Sequence, residues 1–181
     1  MALIERERMG GDCLNTGCVP SKALLAAAHT ASASRRAGRL GVSLGEPMVD
    51  WDAVRAHVQG AIAAVAPQDS EQRFRDLGAT VIRGEARFTE PGTLLANGRR
   101  ITARRVVVAA GSRAAVPDIP GLSTVPFMTN ATLFEMREKP AHLMILGGGA
   151  IGLEMAQAHA ALGCAVTLVE QGRIGGREDP S

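Results

Sequence analysis

Apolar residues recur along this chain in two periods, and each switch between them marks a new element. Ala2-Leu3-Ile4 runs into Glu5 and reads as the end of a buried strand with no partner upstream. From about Pro20 to Ala37, Ala and Leu dominate a helical stretch, with Pro20 placed as a first-turn residue. Asp50 to Leu77 reads as a second long helix. Asp50 suits an N-cap, Val54, Val58, Ile62 and Val65 recur at helical spacing, and Pro67 is where it would kink or split. Short strands are predicted at Thr80–Arg83, Ala86–Phe88, Thr93–Leu95 and Arg100–Thr102, punctuated by Gly84, Pro91-Gly92 and Asn97-Gly98. Asn97-Gly98 between apolar runs is a hairpin signal. Arg105 to Gly111 reads as a continuous apolar strand of a buried sheet.

A proline-rich connector follows from Val116 to Pro126, then a short helix over Ala131–Met136. After Pro140 the pattern resets. His142–Leu146 is a strand, Gly147–Gly152 a glycine turn, Ala150–Leu162 a helix, and Ala165–Val169 a strand ending at Glu170. That is a βαβ unit of about 30 residues. Gln171 to Ser181 is polar and glycine-rich. The fold class is α/β, with a boundary near residue 140.

Composition narrows the function. The 181 residues are 46% hydrophobic and 21% charged, as in a globular protein, and the net charge of +2 is scattered. No nucleic-acid surface is expected. No apolar run reaches the roughly 18 residues of a membrane span. Glu5, Arg6, Glu7 and Arg8 interrupt any signal-peptide pattern, so a soluble cytoplasmic protein is expected. In that compartment a close thiol pair favours catalysis over structure.

Such a pair lies in Gly10-Gly11-Asp12-Cys13-Leu14-Asn15-Thr16-Gly17-Cys18-Val19-Pro20-Ser21-Lys22. Gly10 and Gly11 allow close backbone approach, and two thiols flank an Asn-Thr-Gly segment expected to be flexible. Cys18 falls at or just before a helix N-terminus, where backbone N–H groups favour a thiolate. The pair could instead be half a metal site or two core thiols. A zinc site, however, usually needs four ligands, and no second pair exists here. A redox-active dithiol is the favoured reading. A thioredoxin-like exchanger would have two residues between its cysteines, not four. Cys164, between Gly163 and Ala165, reads as a small core residue.

Gly147-Gly148-Gly149-Ala150-Ile151-Gly152 is a GxGxxG that follows an apolar strand and opens a helix, with Glu170 18 residues beyond Gly152. A generic βαβ turn is the rival, but this context is that of the dinucleotide fingerprint. Gly147 permits the tight turn, Gly149 admits a pyrophosphate, and Gly152 lets helix pack on strand. Glu170 is placed to accept from ribose hydroxyls, which favours NADH over NADPH, though Arg173 nearby softens that preference. Alone, Lys22 and Glu154 read as solvated charges, the four histidines as structural or surface groups, and Trp51 as packing.

Together these motifs resemble the pyridine nucleotide–disulfide oxidoreductases, in the dihydrolipoamide dehydrogenase and mercuric reductase branch. The string at 10–22, then Gly84-Glu85-Ala86-Arg87-Phe88, Val106–Ser112, Ile119-Pro120-Gly121 and the glycine fingerprint with Glu154 follow in the same order. The resemblance implies FAD and NAD(P)H as cofactors and a small disulfide or metal ion as substrate. It implies that Glu5 bonds the adenosine ribose, that Gly10 and Gly11 contact FAD, and that Ala86 touches adenine through its backbone. Cys13 would be the interchange thiol and Cys18 the thiol stacked on flavin. Lys22 and Glu154 would pair beside the flavin N5 edge. Ala109-Ala110-Gly111 matches a turn usually written Ala-Thr-Gly, so a hydroxyl contact is lost at Ala110. In the mechanism implied, hydride passes from the nicotinamide to flavin, and flavin reduces a Cys13–Cys18 disulfide. The lipoamide-type enzymes run in the opposite direction.

The same resemblance implies two Rossmann-like dinucleotide-binding units, both incomplete: a partial FAD unit over 1–140 and the start of an NAD(P) unit over 141–181. A homodimer is implied for the family's full-length members. The chain is then expected to be an internal fragment, inactive by itself and weak in FAD binding. The alternative is a dinucleotide-binding fragment whose thiols are idle.

Overall fold

The computed structural model describes residues 1–176. Strand β1 (Ala2–Glu5) finds its partner downstream: it pairs in parallel with β2 (Thr80–Arg83), Ala2 opposite Thr80 and Glu5 opposite Arg83. Parallel strands need a long crossover. Here it is helical, made of α1 (Gly11–Thr16), α2 (Cys18–Arg36), α3 (Trp51–Val65) and α4 (Glu71–Asp76).

Two expectations change in this crossover. The segment between the thiols is not a flexible loop. Asn15 and Thr16 complete α1, and the break falls at Gly17, where an added Cβ would lie 2.8 Å from the Asp12 carbonyl oxygen. The helix expected over 50–77 is divided. Asp50 does cap α3, its Oδ1 accepting from the Ala53 N–H at 3.1 Å. The α-helix ends at Val65, and Ala66–Asp69 forms one 3₁₀ turn. Pro67 has no N–H and its ring crowds the preceding turn. Ser70 then caps α4, its Oγ accepting from the Arg73 N–H at 3.2 Å.

Strands β3 (Ala86–Glu90), β4 (Thr93–Ala96) and β5 (Arg99–Thr102) form an antiparallel meander. Asn97 and Gly98 turn with φ of 45° and 72°, the paired positive angles that suit a tight hairpin. The strand expected over 105–111 does not form. Val107 is 90% and Val108 74% exposed. An apolar run becomes a strand only where a ladder takes its backbone N–H and C=O groups. Among the described residues no strand pairs with it. Helix α5 (Asn130–Leu133) starts in a reciprocal capping box between Thr129 and Thr132 and stops short of Met136.

Strands β6 (His142–Leu146) and β7 (Ala165–Val169) pair in parallel around α6 (Ala150–Ala161). Leu143, Ile145, Val166 and Leu168 are the half-buried, alternating positions of this pair. The core lies where α2, α3 and α6 meet. Ala23, Leu24, Ala28, Val58, Met155, Ala158 and Leu162 are buried together there. Small alanines on α2 and α6 let the two backbones approach closely. The dithiol string and the glycine turn thus belong to one packed body. Among the described residues no helix is long and apolar enough to cross a membrane. The end of the expected second unit, residues 177–181, lies outside the described residues.

Candidate functional site

Helix geometry sets out the first cluster. Cys13 sits in α1, and Cys18 is the first residue of α2, capped only by Gly17 with no side-chain hydrogen bond. Both thiols are free and exposed. They touch. The hydrogen bond from the Cys13 thiol to the Cys18 sulfur pushes Cys13 above its ordinary pKa, and modest desolvation and the charge of Cys18 itself add to this. The Cys18 backbone N–H, donating to Cys13, opposes the shift, and Asp69 adds a further small upward push. The net effect disfavours a thiolate at Cys13.

Lys22 lies one helical turn beyond Cys18, on the same side of α2. Its Nζ meets Glu154 Oε1 of α6 at 2.5 Å. Lys22 is 61% and Glu154 39% exposed, so the pair contributes little to stability, on the order of 0–1 kcal/mol. Its consequence is positional, because it joins the dithiol helix to the helix of the glycine turn. A second tie runs from Arg35 Nη1 to the Ala161 carbonyl at 2.6 Å.

Gly10 and Gly11 adopt φ of 81° and 54°, and a side chain at Gly10 would collide with Leu14. Beside them lies the turn that contains Ala109, Ala110 and Gly111. Asp12 joins the two: its Oδ2 accepts from the Ser112 N–H at 3.4 Å and would meet a Cβ at Gly111 at 3.1 Å. Sequence reasoning passed over Asp12, although it stands directly before Cys13. Glu5 ends β1, where its carbonyl accepts from the Gly84 N–H at 2.9 Å and Arg6 reaches Glu85 at 3.6 Å. This brings Glu5 and the start of β3, with Ala86, to one end of the β1–β2 pair.

The glycine turn fits a pyrophosphate. Gly147 has φ of 113°, and a Cβ at Gly152 would strike the Gly147 carbonyl oxygen. Gly149 faces open space, and no side chain caps the start of α6, so its first N–H groups point outward as donors. Glu170 reaches back to this turn. Its carboxylate accepts from the Gly148 N–H at 2.7 Å and from the Gly172 N–H at 3.0 Å. Each carboxylate oxygen can accept more than one bond. Among the described residues no group of side chains has the makings of a metal site.

The sequence pattern of the family described as pyridine nucleotide-disulphide oxidoreductase matches residues 1–178. The chain is 37% identical over 186 residues to a mercuric reductase of Streptomyces lividans, covering 99% of this chain and 39% of that protein. It is 37% identical over 180 residues to a mycothione reductase of Mycobacterium tuberculosis, covering 94% of this chain and 39% of that protein. Among solved structures it superposes on the Cu(II) complex of the HOCl-induced flavoprotein disulfide reductase RclA of Escherichia coli. The TM-score there is 0.78 at 29% identity, over 99% of this chain and 38% of the other. The chain thus spans about two fifths of the length of each of these three proteins. By the extent of the family match and by fold, this chain belongs to the pyridine nucleotide-disulphide oxidoreductases.

Proposed function

We propose that the chain carries the dithiol centre and the nicotinamide-binding turn of a flavin-dependent reductase, with Cys13 and Cys18 as its redox pair. The observation that carries this is the Lys22–Glu154 ion pair, which ties the helix begun by Cys18 to the helix of the dinucleotide turn. Two small units, an FAD side over 1–140 and a nicotinamide side over 141–181, then share one set of packed helices. Bound there, the nicotinamide and flavin would supply hydride transfer and electrons to the sulfurs.

The chain's own residues do the rest. Gly147, Gly149 and Gly152 clear room for a dinucleotide, and the α6 N–H groups take its phosphates. Glu170 disfavours a 2′-phosphate, so NADH is preferred to NADPH. Glu5, Gly10, Gly11, Ala86 and the Ala109-Ala110-Gly111 turn line the FAD side. Lys22, held by Glu154, keeps a positive charge beside the dithiol.

A disulfide substrate is reduced in two exchanges. Cys13, once it has lost its proton, attacks one substrate sulfur as the thiolate and releases the first thiol product. The Cys18 thiolate then attacks Cys13 in the mixed disulfide, releases the second product and closes the Cys13–Cys18 bond. Two electrons pass from the dithiol to the substrate, and the two protons from the cysteines end on the products. Mercuric ion, the substrate that the relatives' name states, is the other acceptor class, since two adjacent thiolates suit a soft cation.

The exchange is testable without any cofactor. The reduced chain, mixed with an excess of a small aromatic disulfide, should release two equivalents of leaving thiol from the pair and retain no adduct. Cys18→Ser should trap the adduct on Cys13. Two stable adducts on the wild-type chain would defeat the proposal.

A further inference from the structure

His159 is the most completely buried ionisable residue in the α2–α3–α6 core, at 1% exposure. It lies on α6, five residues beyond Glu154. Its Nδ1 bonds the Met155 carbonyl at 2.8 Å. A carbonyl only accepts, so Nδ1 carries the hydrogen and Nε2 is left as the acceptor of a neutral ring. The ring stacks at a tilt on Trp51 of α3, with centroids 5.9 Å apart. Leu24 of α2, Val54, Arg55 and Val58 of α3, and Leu133 and Phe134 at α5 surround the two rings. The space left among them is about 20 Å³. That is room enough for a water. The Trp51 Nε1–H, at this core, has no hydrogen-bond partner among the described residues.

Among the described residues, the side chains lining this cage offer no acceptor for a second proton on the imidazole. Trp51 presents a donor. The charged side chain lining the cage is Arg55, whose Nη1 is paired with Asp52 at 3.1 Å. From α2 and from 133–136 the contacts are apolar, and the Lys22–Glu154 pair is satisfied within itself. On the side after α6, the His159 carbonyl accepts from the Cys164 N–H at 3.0 Å, and that thiol is buried and uncharged.

We propose that His159 is a positioning residue: its neutral ring, locked to Met155 and packed on Trp51, seats α6 against α2 and α3 so that Glu154 meets Lys22, and its protonation unseats that helix. Burial lowers the pKa of His159, while the bond to Met155 pulls weakly the other way. The sign follows. A group with a depressed folded pKa leaves the unfolded chain holding more protons at low pH. The seating is complete above about 6.5, the ordinary imidazole value, and is lost as pH falls below it, by at most tenfold in the folding constant per pH unit. The consequence for electron transfer rests on the role proposed for the Lys22–Glu154 pair; the acid response does not.

Trp51 is the chain's single tryptophan, so its emission reports this contact directly. In the wild-type chain, emission should change between about pH 6.5 and 5 before helical circular dichroism is lost. His159→Phe keeps a ring and cannot titrate, so its emission should stay flat over that range. An identical pH profile in the two proteins would overturn the proposal, and so would a flat wild-type profile. Should His159→Phe not fold, proton NMR of the wild type decides. His159 should titrate below the ordinary imidazole value of about 6.5, coincident with the Trp51 change, and titration at or above that value would refute it. Normal dithiol exchange in His159→Phe at neutral pH with a lost acid response would show that this inference and the proposed function stand or fall separately.

Discussion

Gly152→Ala tests the packing that builds the dinucleotide turn. The new Cβ would meet the Gly147 carbonyl oxygen, which is backbone and cannot swing aside, and Ile145 Cγ2 at 3.6 Å. Helix α6 must therefore move off β6. Forcing an extra carbon into a closed contact costs roughly 1–3 kcal/mol. Alanine's better helix propensity returns roughly 0.5–1 kcal/mol. Taken at mid-range the net loss is about 1 kcal/mol, which for a chain of this size lowers Tm by about 2–4 °C. Gly60→Ala is the control. It lies within α3, with nothing within 4 Å of an added Cβ. It gains only the propensity, so Tm should rise by about 1–4 °C. Thermal melts by circular dichroism separate the two. The same displacement of α6 should weaken NADH binding about tenfold, or about 1.4 kcal/mol, in a fluorescence titration. Equal melting temperatures for the two variants would refute the close helix–strand contact, and unchanged NADH affinity in Gly152→Ala would refute its link to the nucleotide.

Other outcomes follow from individual contacts. Cys18→Ala removes the acceptor that holds the proton on Cys13. Alkylation of Cys13 should therefore begin at lower pH than in the wild type, and an unchanged pH–rate curve would contradict the shared proton. Glu170→Ala removes the bonds to the Gly148 and Gly172 N–H groups. It should narrow the preference for NADH over NADPH, as measured by paired binding titrations. Asp50→Ala removes the α3 cap and should cost about 1 kcal/mol in urea unfolding, without altering thiol exchange.

How much could be read in advance depended on whether a signal was local. The β6–α6–β7 unit was legible because apolar strand, glycine turn and helix follow one another, and a Cβ at Gly152 shows why that glycine is needed. The Asn97-Gly98 hairpin was legible for the same reason. Helix α1 was not. It has only six residues, too few for periodicity to show, and its glycines read as loop. The 105–111 run was misread because strand formation depends on a neighbour, which composition does not encode. Within the site, Lys22 and Glu154 stand 132 residues apart. Neither carries a local sign of the other, and only the family resemblance suggested pairing them. Asp12 shows the reverse case: it was in plain view beside Cys13, but its role depends on a turn a hundred residues away.

The central claim is that Cys13 and Cys18 exchange two electrons by making and breaking one bond between them. No Lys or Arg lies between these cysteines, so trypsin releases both in the single peptide Met9–Lys22. Mass spectrometry of that peptide from oxidised and reduced protein reads the bond directly. The account predicts a peptide lacking two hydrogens and resistant to alkylation after oxidation, and one that takes up two alkyl groups after reduction, with Cys164 unchanged. Two alkylatable thiols on Met9–Lys22 after oxidation would contradict it.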